Sequence, residues 1–439
     1  MHHKKKYRDI SFLAASALLI IFITVKLKEL NAAPQAPIWV TAAGDLRGEI
    51  KPCGCSADGD LGGLLRRATY LEQLRQSEPS AMYLDLGNNF PLPSEQGRLK
   101  VELLQKSLQE LKPSSILVGP NELLYERPLL DYSLPYLLTN TSESWPVKTL
   151  HIEKLAEKKI GIWGYLSPEQ VYQNENDEPW VYPVNDQVLQ AWKQERKKHQ
   201  VDYTILLFRG NEQELETFEH SHLFDMIITG NNNDDELHQI LEMKTKTSIF
   251  SSVPTKGQGT LEGQINFSGK AVHFEVQWLR DTYQDHPDIL PIFNAYEQQV
   301  KELFFTNLDR MEQHQQDSPY AGATKCKECH LDAYNTWSQS RHAQAFSTLE
   351  KVNKHFDLEC LQCHVVGLNQ KGFLSPELTS SLLNVQCENC HGASKAHVSD
   401  PPKKRTPNKP AMQACVSCHK GSHSPAFDFS KYWLKIIHQ

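Results

Sequence analysis

The sequence Cys326-Lys-Glu-Cys329-His330 is the first of four Cys-x-x-Cys-His motifs that decide the fold of the last quarter of the chain. The other three are Cys360-Leu-Gln-Cys363-His364, Cys387-Glu-Asn-Cys390-His391 and Cys415-Val-Ser-Cys418-His419. This motif attaches a c-type haem, because two thiols bond to the porphyrin vinyl groups while the adjacent His binds the iron as proximal ligand. The sequence therefore predicts four covalently bound haems.

Cysteine pairs at this spacing also occur in structural zinc sites, in thioredoxin-like redox pairs and in disulfides. Zinc would require two such pairs per metal ion and no fixed His at the next position. Four complete motifs between residues 326 and 419 favour haem over all of these alternatives.

Each haem iron can bind a second axial ligand, and the segment contains further His residues for this role. Residues 319–439 contain nine of the 19 His of the chain, and four of these belong to the motifs. The other five are candidate distal ligands: His342, His397 and His438 as first choices, and His355 and His423 as possible ones. Met412 is the only Met of this segment, so His/Met ligation can apply to one haem at most. We therefore expect low-potential haems that carry electrons.

Residues around the motifs resemble the tetrahaem cytochrome c-554 family. The resemblance rests on Tyr334, Trp337, Ser340, His342-Ala-Gln-Ala345, Cys363-His-Val-Val-Gly367, Cys387-Glu-Asn-Cys-His391 and Tyr432-Trp-Leu-Lys-Ile-Ile-His438. It implies a mostly helical, loop-rich domain with closely stacked haems, one of which can lack a distal ligand and bind a small molecule. The porphyrins would form most of the core of so short a segment, so we expect the haem-free form to be largely unfolded.

The N-terminal part alternates short apolar runs with amphipathic segments, which predicts a layered α/β domain over residues 34–283. The predicted strands are Ile38–Ala43, Ala81–Leu86, Ser115–Val118, Ile160–Tyr165, Tyr203–Phe208, Asp225–Thr229 and Ser248–Val253. A hairpin is predicted over Gly263–Leu279, with its turn at Ser268-Gly269.

Residues 284–318 are predicted to connect this domain to the haem domain at 319–439. Within them, Leu290–His314 has the period of one amphipathic helix. Its apolar stripe comprises Ile292, Phe293, Tyr296, Val300, Leu303 and Phe304. We expect this helix to dock one domain on the other.

Five stretches of the N-terminal part resemble, in order, the motifs of the calcineurin-like metallophosphoesterases, nearest the 5'-nucleotidase branch. They are Ile38-Trp-Val-Thr-Ala-Ala-Gly-Asp45-Leu-Arg-Gly48, Gly62-Gly-Leu-Leu-Arg-Arg-Ala68, Leu84-Asp-Leu-Gly-Asn-Asn-Phe90, Gly119-Pro-Asn-Glu122 and Ile228-Thr-Gly-Asn-Asn232. The resemblance implies a two-metal fold in which Asp, Asn and His side chains hold the ions that activate water.

The metal-binding positions of that family are mostly changed in this chain. Asp45-Leu-Arg47 stands in place of Asp-x-His, Asn88 in place of Asp, Asn121 in place of His, and Gly230-Asn-Asn-Asn233 in place of Gly-His-x-His. Arg209 stands where a further His is expected. Asn and Arg cannot supply the charge and donor strength that two divalent ions require. The resemblance therefore implies a retained fold without phosphoesterase activity.

A second pair of cysteines lies in Lys51-Pro-Cys53-Gly-Cys55. The thiols are two residues apart and could form only a strained, easily reduced disulfide. Cys53 and Cys55 are thus candidate catalytic residues of a redox or metal-thiolate site, and the alternative is two free thiols in a loop.

The start of the chain has the pattern of an export segment. Basic residues in Met1–Arg8 precede an uncharged run over Ile10–Val25, so residues 1–33 are predicted to be a signal peptide or a signal anchor. The position of the basic residues places the rest of the protein outside the cytoplasm, in the periplasm or a similar compartment, either free or anchored to the inner membrane by an uncleaved signal. The net charge of -7 gives no basic surface of the kind that nucleic-acid-binding proteins carry.

Three functions remain open from the sequence. The leading hypothesis is an exported multihaem cytochrome that exchanges electrons with redox partner proteins or quinone-linked donors, with the phosphoesterase-like domain as a docking or sensing surface. The second is an oxidoreductase acting on a small substrate at an open haem or at Cys53 and Cys55. The third is a haem-bearing, metal-dependent phosphoesterase.

Overall fold

The computed structural model describes residues 37–52, 60–142, 145–155, 157–171, 180–230, 249–265, 267, 274–314, 317–401, 412–419, 424 and 427–438. The export segment predicted at 1–33, the cysteines Cys53 and Cys55, and His423 lie outside these residues. Among the helices that are described, none is both long and apolar enough to cross a bilayer.

The N-terminal part is built on two β-sheets. Its strands are β1 (Ile38–Ala43), β2 (Met82–Asp85), β3 (Ser115–Leu117), β4 (Tyr136–Leu137), β5 (His151–Leu155), β6 (Lys158–Leu166), β7 (Tyr203–Arg209), β8 (Met226–Thr229), β9 (Ile249–Ser252), β10 (Gly259–Ile265) and β11 (Phe274–Trp278). The first sheet has the order β11-β10-β1-β2-β3-β4, and the second has the order β5-β6-β7-β8-β9.

Both sheets are parallel at their centres and antiparallel at one edge. In the first sheet β1 to β4 pair in parallel, while β10 pairs antiparallel with β1 and with β11. In the second, β5 and β6 are antiparallel and β6 to β9 are parallel. In the central strands β6 and β7, residues 160–166 and 204–209 are buried, because both faces of these strands are covered.

Helices α1 (Leu64–Ser77), α2 (Glu95–Leu111), α3 (Asp186–His199) and α4 (Glu212–Ser221) cover these sheets. Ser94 caps α2, since its side chain accepts a hydrogen bond from the Gly97 N–H at 2.8 Å. One large apolar core contains residues of both sheets, including Leu117, Leu137, Ile162 and Ile205. A second cluster, rich in aromatic residues, lies beneath α3 and α4. The N-terminal part is therefore a layered α/β sandwich, and this part of the predicted fold class is confirmed.

The predicted connecting helix is present as α5 (Leu290–His314). Its apolar stripe is divided between two clusters of buried residues. Phe293, Tyr296 and Val300 belong to the core of the sandwich, whereas Phe304 packs with residues of the C-terminal part. One helix thus contributes to both hydrophobic cores.

The C-terminal part is helical and rich in loops, as predicted. Its helices are short: α6 (Ala323–Cys326), α7 (Leu331–Ser338), α8 (Ala345–Lys351), α9 (Leu358–His364), α10 (Cys387–His391), α11 (Lys395–Ser399), α12 (Met412–Val416) and α13 (Phe429–Trp433). Buried apolar side chains of this part form a small cluster around α8 and α9.

Candidate functional site

Each haem-attachment motif lies on a short helical turn. Helices α9 and α10 contain the second and third motifs entirely, while α6 and α12 lead into the first and fourth. In the first motif the His330 N–H donates to the Cys326 carbonyl at 2.9 Å, and in the fourth the His419 N–H donates to the Cys415 carbonyl at 2.8 Å. A helical turn brings positions i, i+3 and i+4 to one face, so the two sulfurs and the imidazole of a motif point the same way.

The residues around the motifs fit the porphyrins that the motifs imply. The eight motif cysteines are all described, and none of them forms a disulfide bond. Apolar side chains within four residues in sequence of a motif or of His438 are at least half exposed: Leu331 at 52%, Met412 at 50%, Leu434 at 74% and Ile437 at 50%. Such side chains suit contact with a large apolar ring.

Three of the motif imidazoles face a second imidazole. The ring centroids are 6.4 Å apart for His330 and His397, 6.1 Å for His419 and His342, and 5.9 Å for His391 and His438. A metal–imidazole bond is about 2 Å long, and the ring centroid lies roughly 1 Å further, so two imidazoles on opposite sides of one iron have centroids about 6 Å apart. The three pairs match this separation.

The imidazole of the second motif is oriented by the backbone. Nδ1 of His364 lies 2.6 Å from the Ala345 carbonyl oxygen, which can only accept a hydrogen bond, so Nδ1 carries the proton and Nε2 is left to bind iron. His355 packs against the rings of Phe356 and Phe346, with centroids 3.9 Å and 6.3 Å away, and its buried Nδ1 has no hydrogen-bond partner among the described residues. The ligand roles predicted for His355 and His423, like those of the other candidate imidazoles, stay predictions.

Helix α10, which holds the third motif, contacts both α6 and α12, which lead into the first and fourth motifs. A hydrogen bond between the thiols of Cys326 and Cys387 lowers the pKa of Cys326 and raises that of Cys387. Burial, and then the nearby Cys415 and Cys418, raise the pKa of Cys390. In a haem-bound protein these sulfurs are thioethers at the porphyrin edges, so the first and third haems would be neighbours, as would the third and fourth.

A buried carboxylate inside the third motif joins it to the first. Glu388 is 3% exposed and accepts hydrogen bonds from the N–H groups of Ala321, Gly322 and Ser394, at 3.0, 2.9 and 2.7 Å. It thereby holds the chain just before α6 against α10. Glu388 was not predicted from the sequence, where its place directly after Cys387 of the third motif was the available signal.

A buried ion pair lies where the resemblance to the metallophosphoesterases implies metal ligands. Arg209 is 1% exposed and Asp45 is fully buried, and Nη2 of Arg209 lies 2.6 Å from Oδ2 of Asp45. Nε of Arg209 donates to the Leu86 carbonyl at 2.6 Å, and Nδ2 of Asn88 donates to Oδ1 of Asp45 at 2.9 Å. Both carboxylate oxygens are therefore occupied by the protein's own donors.

The neighbouring acidic residue is likewise used internally. Glu122 is buried and accepts from the N–H groups of Asn88, Asn89 and Gly119, at 2.9, 2.7 and 3.0 Å. Burial raises the pKa of Glu122. Asn121, at the position of a family His, donates through Nδ2 to the Phe90 carbonyl at 2.7 Å.

The backbone of this cluster keeps an unusual shape. Asp45 and Asn88 have φ values of 51° and 57°, in the left-handed region that such residues adopt mainly in tight functional turns. The described donors of this loop form hydrogen bonds and an ion pair within the protein. Among the described residues, no group of three or more His, Cys, Asp or Glu side chains is arranged to hold a metal ion.

We expect divalent metal to leave the stability of the holoprotein unchanged. A ligand that binds only the native state adds about 2.7 kcal/mol at 100 times its Kd, which raises Tm by several degrees in a domain of this size. Thermal unfolding with and without millimolar Mn²⁺, in wild type and in a Cys53→Ser, Cys55→Ser variant, measures this. A metal-dependent rise in Tm together with hydrolysis of a phosphodiester would contradict the expectation.

Lys51 marks where the Cys53-Gly-Cys55 loop leaves the described sandwich. Its Nζ lies 2.7 Å from Oδ2 of Asp285 and 4.4 Å from the centroid of the Phe293 ring of α5. The loop thus begins beside the helix shared by both cores. Cys53 and Cys55 themselves lie outside the described residues.

These sites define a multihaem c-type cytochrome region joined to a phosphoesterase-like sandwich. The profile of the family described as cytochrome c554 and c-prime matches residues 325–392. Cytochrome c-554 of Nitrosomonas europaea is 28% identical over an alignment of 167 positions including gaps, which covers 27% of this chain and 71% of the relative. The predicted resemblance of the C-terminal part is confirmed.

Solved structures match the N-terminal part. The sulfate thiohydrolase SoxB of Thermus thermophilus has a TM-score of 0.50 and 11% identity, over 61% of each chain. A 5'-nucleotidase precursor of the same species has a TM-score of 0.49 and 14% identity, over 60% of this chain and 59% of that one. The chain thus spans about 60% of the length of these structures. At this identity the likeness to the thiohydrolase shows a shared fold, which confirms the metallophosphoesterase-like class.

Proposed function

We propose that this protein is an exported electron carrier with four c-type haems, in which the phosphoesterase-like domain serves for docking or sensing rather than hydrolysis. The observation that carries the proposal is the three imidazole pairs with centroids 5.9 to 6.4 Å apart. Two imidazoles on one iron favour electron transfer over substrate binding, because neither side of that iron is open.

The proposed axial pairs are His330 with His397, His419 with His342, and His391 with His438. His364 is the proposed proximal ligand of the remaining haem, whose distal side is taken by His355 or His423 or is open. The neighbouring sulfurs of the motifs support an electron path from the first haem through the third to the fourth.

Export is part of the proposal because c-type haems are attached outside the cytoplasm in bacteria. Redox partner proteins or quinone-linked donors would supply and accept the electrons in that compartment. The segment at 1–33 would direct the chain there, either as a cleaved signal or as an anchor.

Replacing a distal ligand is expected to open one haem. In each of the variants His342→Ala, His397→Ala and His438→Ala, one haem should change from low-spin to high-spin and bind carbon monoxide, because its iron loses one of its two imidazoles. Electron paramagnetic resonance and carbon monoxide difference spectra of the holoprotein measure the change. The same substitution at His151, a residue of β5 paired with Glu153, is the matched control. Unchanged low-spin signals in all three variants would contradict the assignment.

The same spectra separate the rival function. An oxidoreductase working at an open haem requires carbon monoxide binding by the wild-type protein. One working at Cys53 and Cys55 requires that replacing both by Ser abolish turnover, and unchanged turnover would exclude it. The mass of the intact polypeptide gives the number of attached haems, and fewer than four would refute the proposed cofactor content.

A further inference from the structure

The helix that carries the second haem motif is held directly by the phosphoesterase-like domain. Gln96, in the first turn of α2, is 3% exposed, and its Nε2 donates to Oδ1 of Asp357 at 2.8 Å. The same amide nitrogen lies 3.1 Å from Oη of Tyr296 in α5. Asp357 caps α9, because its Oδ1 also accepts the N–H of Glu359 at 3.0 Å. One buried carboxylate therefore joins the start of α9 to the other domain.

The charge of Asp357 lies one helical turn from a haem-attachment sulfur, because Asp357 is the N-cap of α9 and Cys360 is the third residue of that helix. Asp357 is 8% exposed, and its Oδ2 lies 3.7 Å from Nζ of Lys354, which also pairs with Glu297 of α5 at 2.9 Å. Burial and then the charge of Asp357 raise the pKa of Cys360, while Lys354 opposes that effect. Lys100 of α2 forms a further ion pair with Glu359, in the first turn of α9.

We propose that Gln96 is a positioning residue for the second haem: by holding Asp357, it fixes the start of α9 and the negative charge beside the haem attachment, so that the phosphoesterase-like domain sets the potential of that haem. This inference rests on the proposed function, since it requires a haem at Cys360, Cys363 and His364. It assigns the domain a role that needs no metal and no hydrolysis.

The physical basis is electrostatic. Reduction adds one electron to the haem, and a buried carboxylate nearby opposes this because its field is weakly screened. The amide N–H of Gln96 directs the positive end of its dipole at the carboxylate and offsets part of its charge. Removing the donor strengthens the opposing field, whereas replacing Asp357 by Asn removes the charge and keeps a good helix cap.

The two substitutions should therefore shift the reduction potential of one haem in opposite directions. In Gln96→Leu the reduction equilibrium of one haem should weaken about tenfold, which is 59 mV for a one-electron couple. In Asp357→Asn the same haem should become easier to reduce by more than that factor, because a whole charge is removed rather than a partial offset. A spectroelectrochemical titration of the holoprotein, resolved into its component waves, measures both.

Gln105→Leu is the matched control. Gln105 lies on the same helix and is 8% exposed, and its side chain bonds to the Leu129 carbonyl and the Asp131 N–H, both within the sandwich. Loss of the Gln105 side chain should disturb α2 without shifting the reduction potential of any haem. An unmoved or upward wave in Gln96→Leu, or an equal shift in Gln105→Leu, would overturn the proposal.

The haem content distinguishes failure of the proposed function from failure of the role of Gln96. If the mass of the peptide that contains Cys360 and Cys363 shows no haem in the wild type, the proposed function fails first. If haem content is full and the wave does not move, only the role of Gln96 fails. Should Gln96→Leu fail to mature, Asp357→Asn retains the cap and tests the same junction, and an unmoved wave there also overturns the proposal.

Discussion

Protein produced without haem attachment is expected to lose ordered structure between residues 319 and 438 while the N-terminal sandwich stays folded. The sandwich buries apolar residues from both of its sheets in one continuous core. The buried cluster of the C-terminal part is much smaller: Phe304, Phe346, Leu349, Leu361, Val365, Val366, Leu368, Phe373 and Leu382. These residues surround the second motif, and a segment of this size with so small a core is not stable on its own.

Limited proteolysis and urea unfolding of the haem-free and haem-bound forms measure this difference. In the haem-free form, cleavage should be confined to the C-terminal part, and unfolding should show the single transition of the sandwich. The haem-bound form serves as the control for accessibility of the same peptide bonds. Equal protection of residues 319–438 in both forms would contradict the prediction and would mean that the polypeptide alone supplies the core.

Replacing Arg209 by Met is expected to lower the free energy of unfolding of the sandwich by about 3–5 kcal/mol, the range found when one partner of a buried ion pair is removed. The substitution leaves Asp45 with a buried charge that has lost its guanidinium partner at 2.6 Å. It also removes the donor to the Leu86 carbonyl, which becomes an unsatisfied buried acceptor.

Chemical denaturation followed by far-ultraviolet circular dichroism measures the loss. Arg196→Met is the matched control, because Arg196 pairs with Asp225 at 3.6 Å but both side chains are about one-third exposed. Such a pair contributes about 0–1 kcal/mol. The double variant Arg209→Met, Asp45→Asn should recover part of the stability, since it no longer buries a carboxylate whose nearest remaining cation, Nε of Arg47, is 3.7 Å from Oδ1. A loss below about 1 kcal/mol in Arg209→Met alone would refute the explanation.

Features that depend on residues close together in the sequence could be predicted from it. Helix Leu290–His314 was predicted with the bounds that the structure shows, because its apolar period is unbroken from Ile292 to Phe304. The seven predicted single strands were also found, with ends displaced by up to two residues. Strands β4 and β5 were missed: β4 has two residues, and β5 is only partly buried, so neither has a strong pattern.

Long-range pairings could not be read from the sequence. The changed family motifs predicted that the metal ligands are lost, but Arg209 and Asp45 are 164 residues apart, and nothing local indicates that one neutralises the other. The pairing of the candidate distal ligands could not be read from the sequence either. His342 follows the first motif in sequence, yet it faces His419 of the fourth.

The division of α5 between two cores has a practical consequence for dissecting this protein. A fragment that ends at the boundary near residue 318 would carry Phe304 away from Phe346 and Phe373, and would present a bare aromatic face to solvent. A fragment that starts after α5 would take the haem segment without that side chain. A transfer of the haem domain to another protein would therefore have to include α5. The sandwich without α5 would lose Phe293, Tyr296 and Val300 from its core.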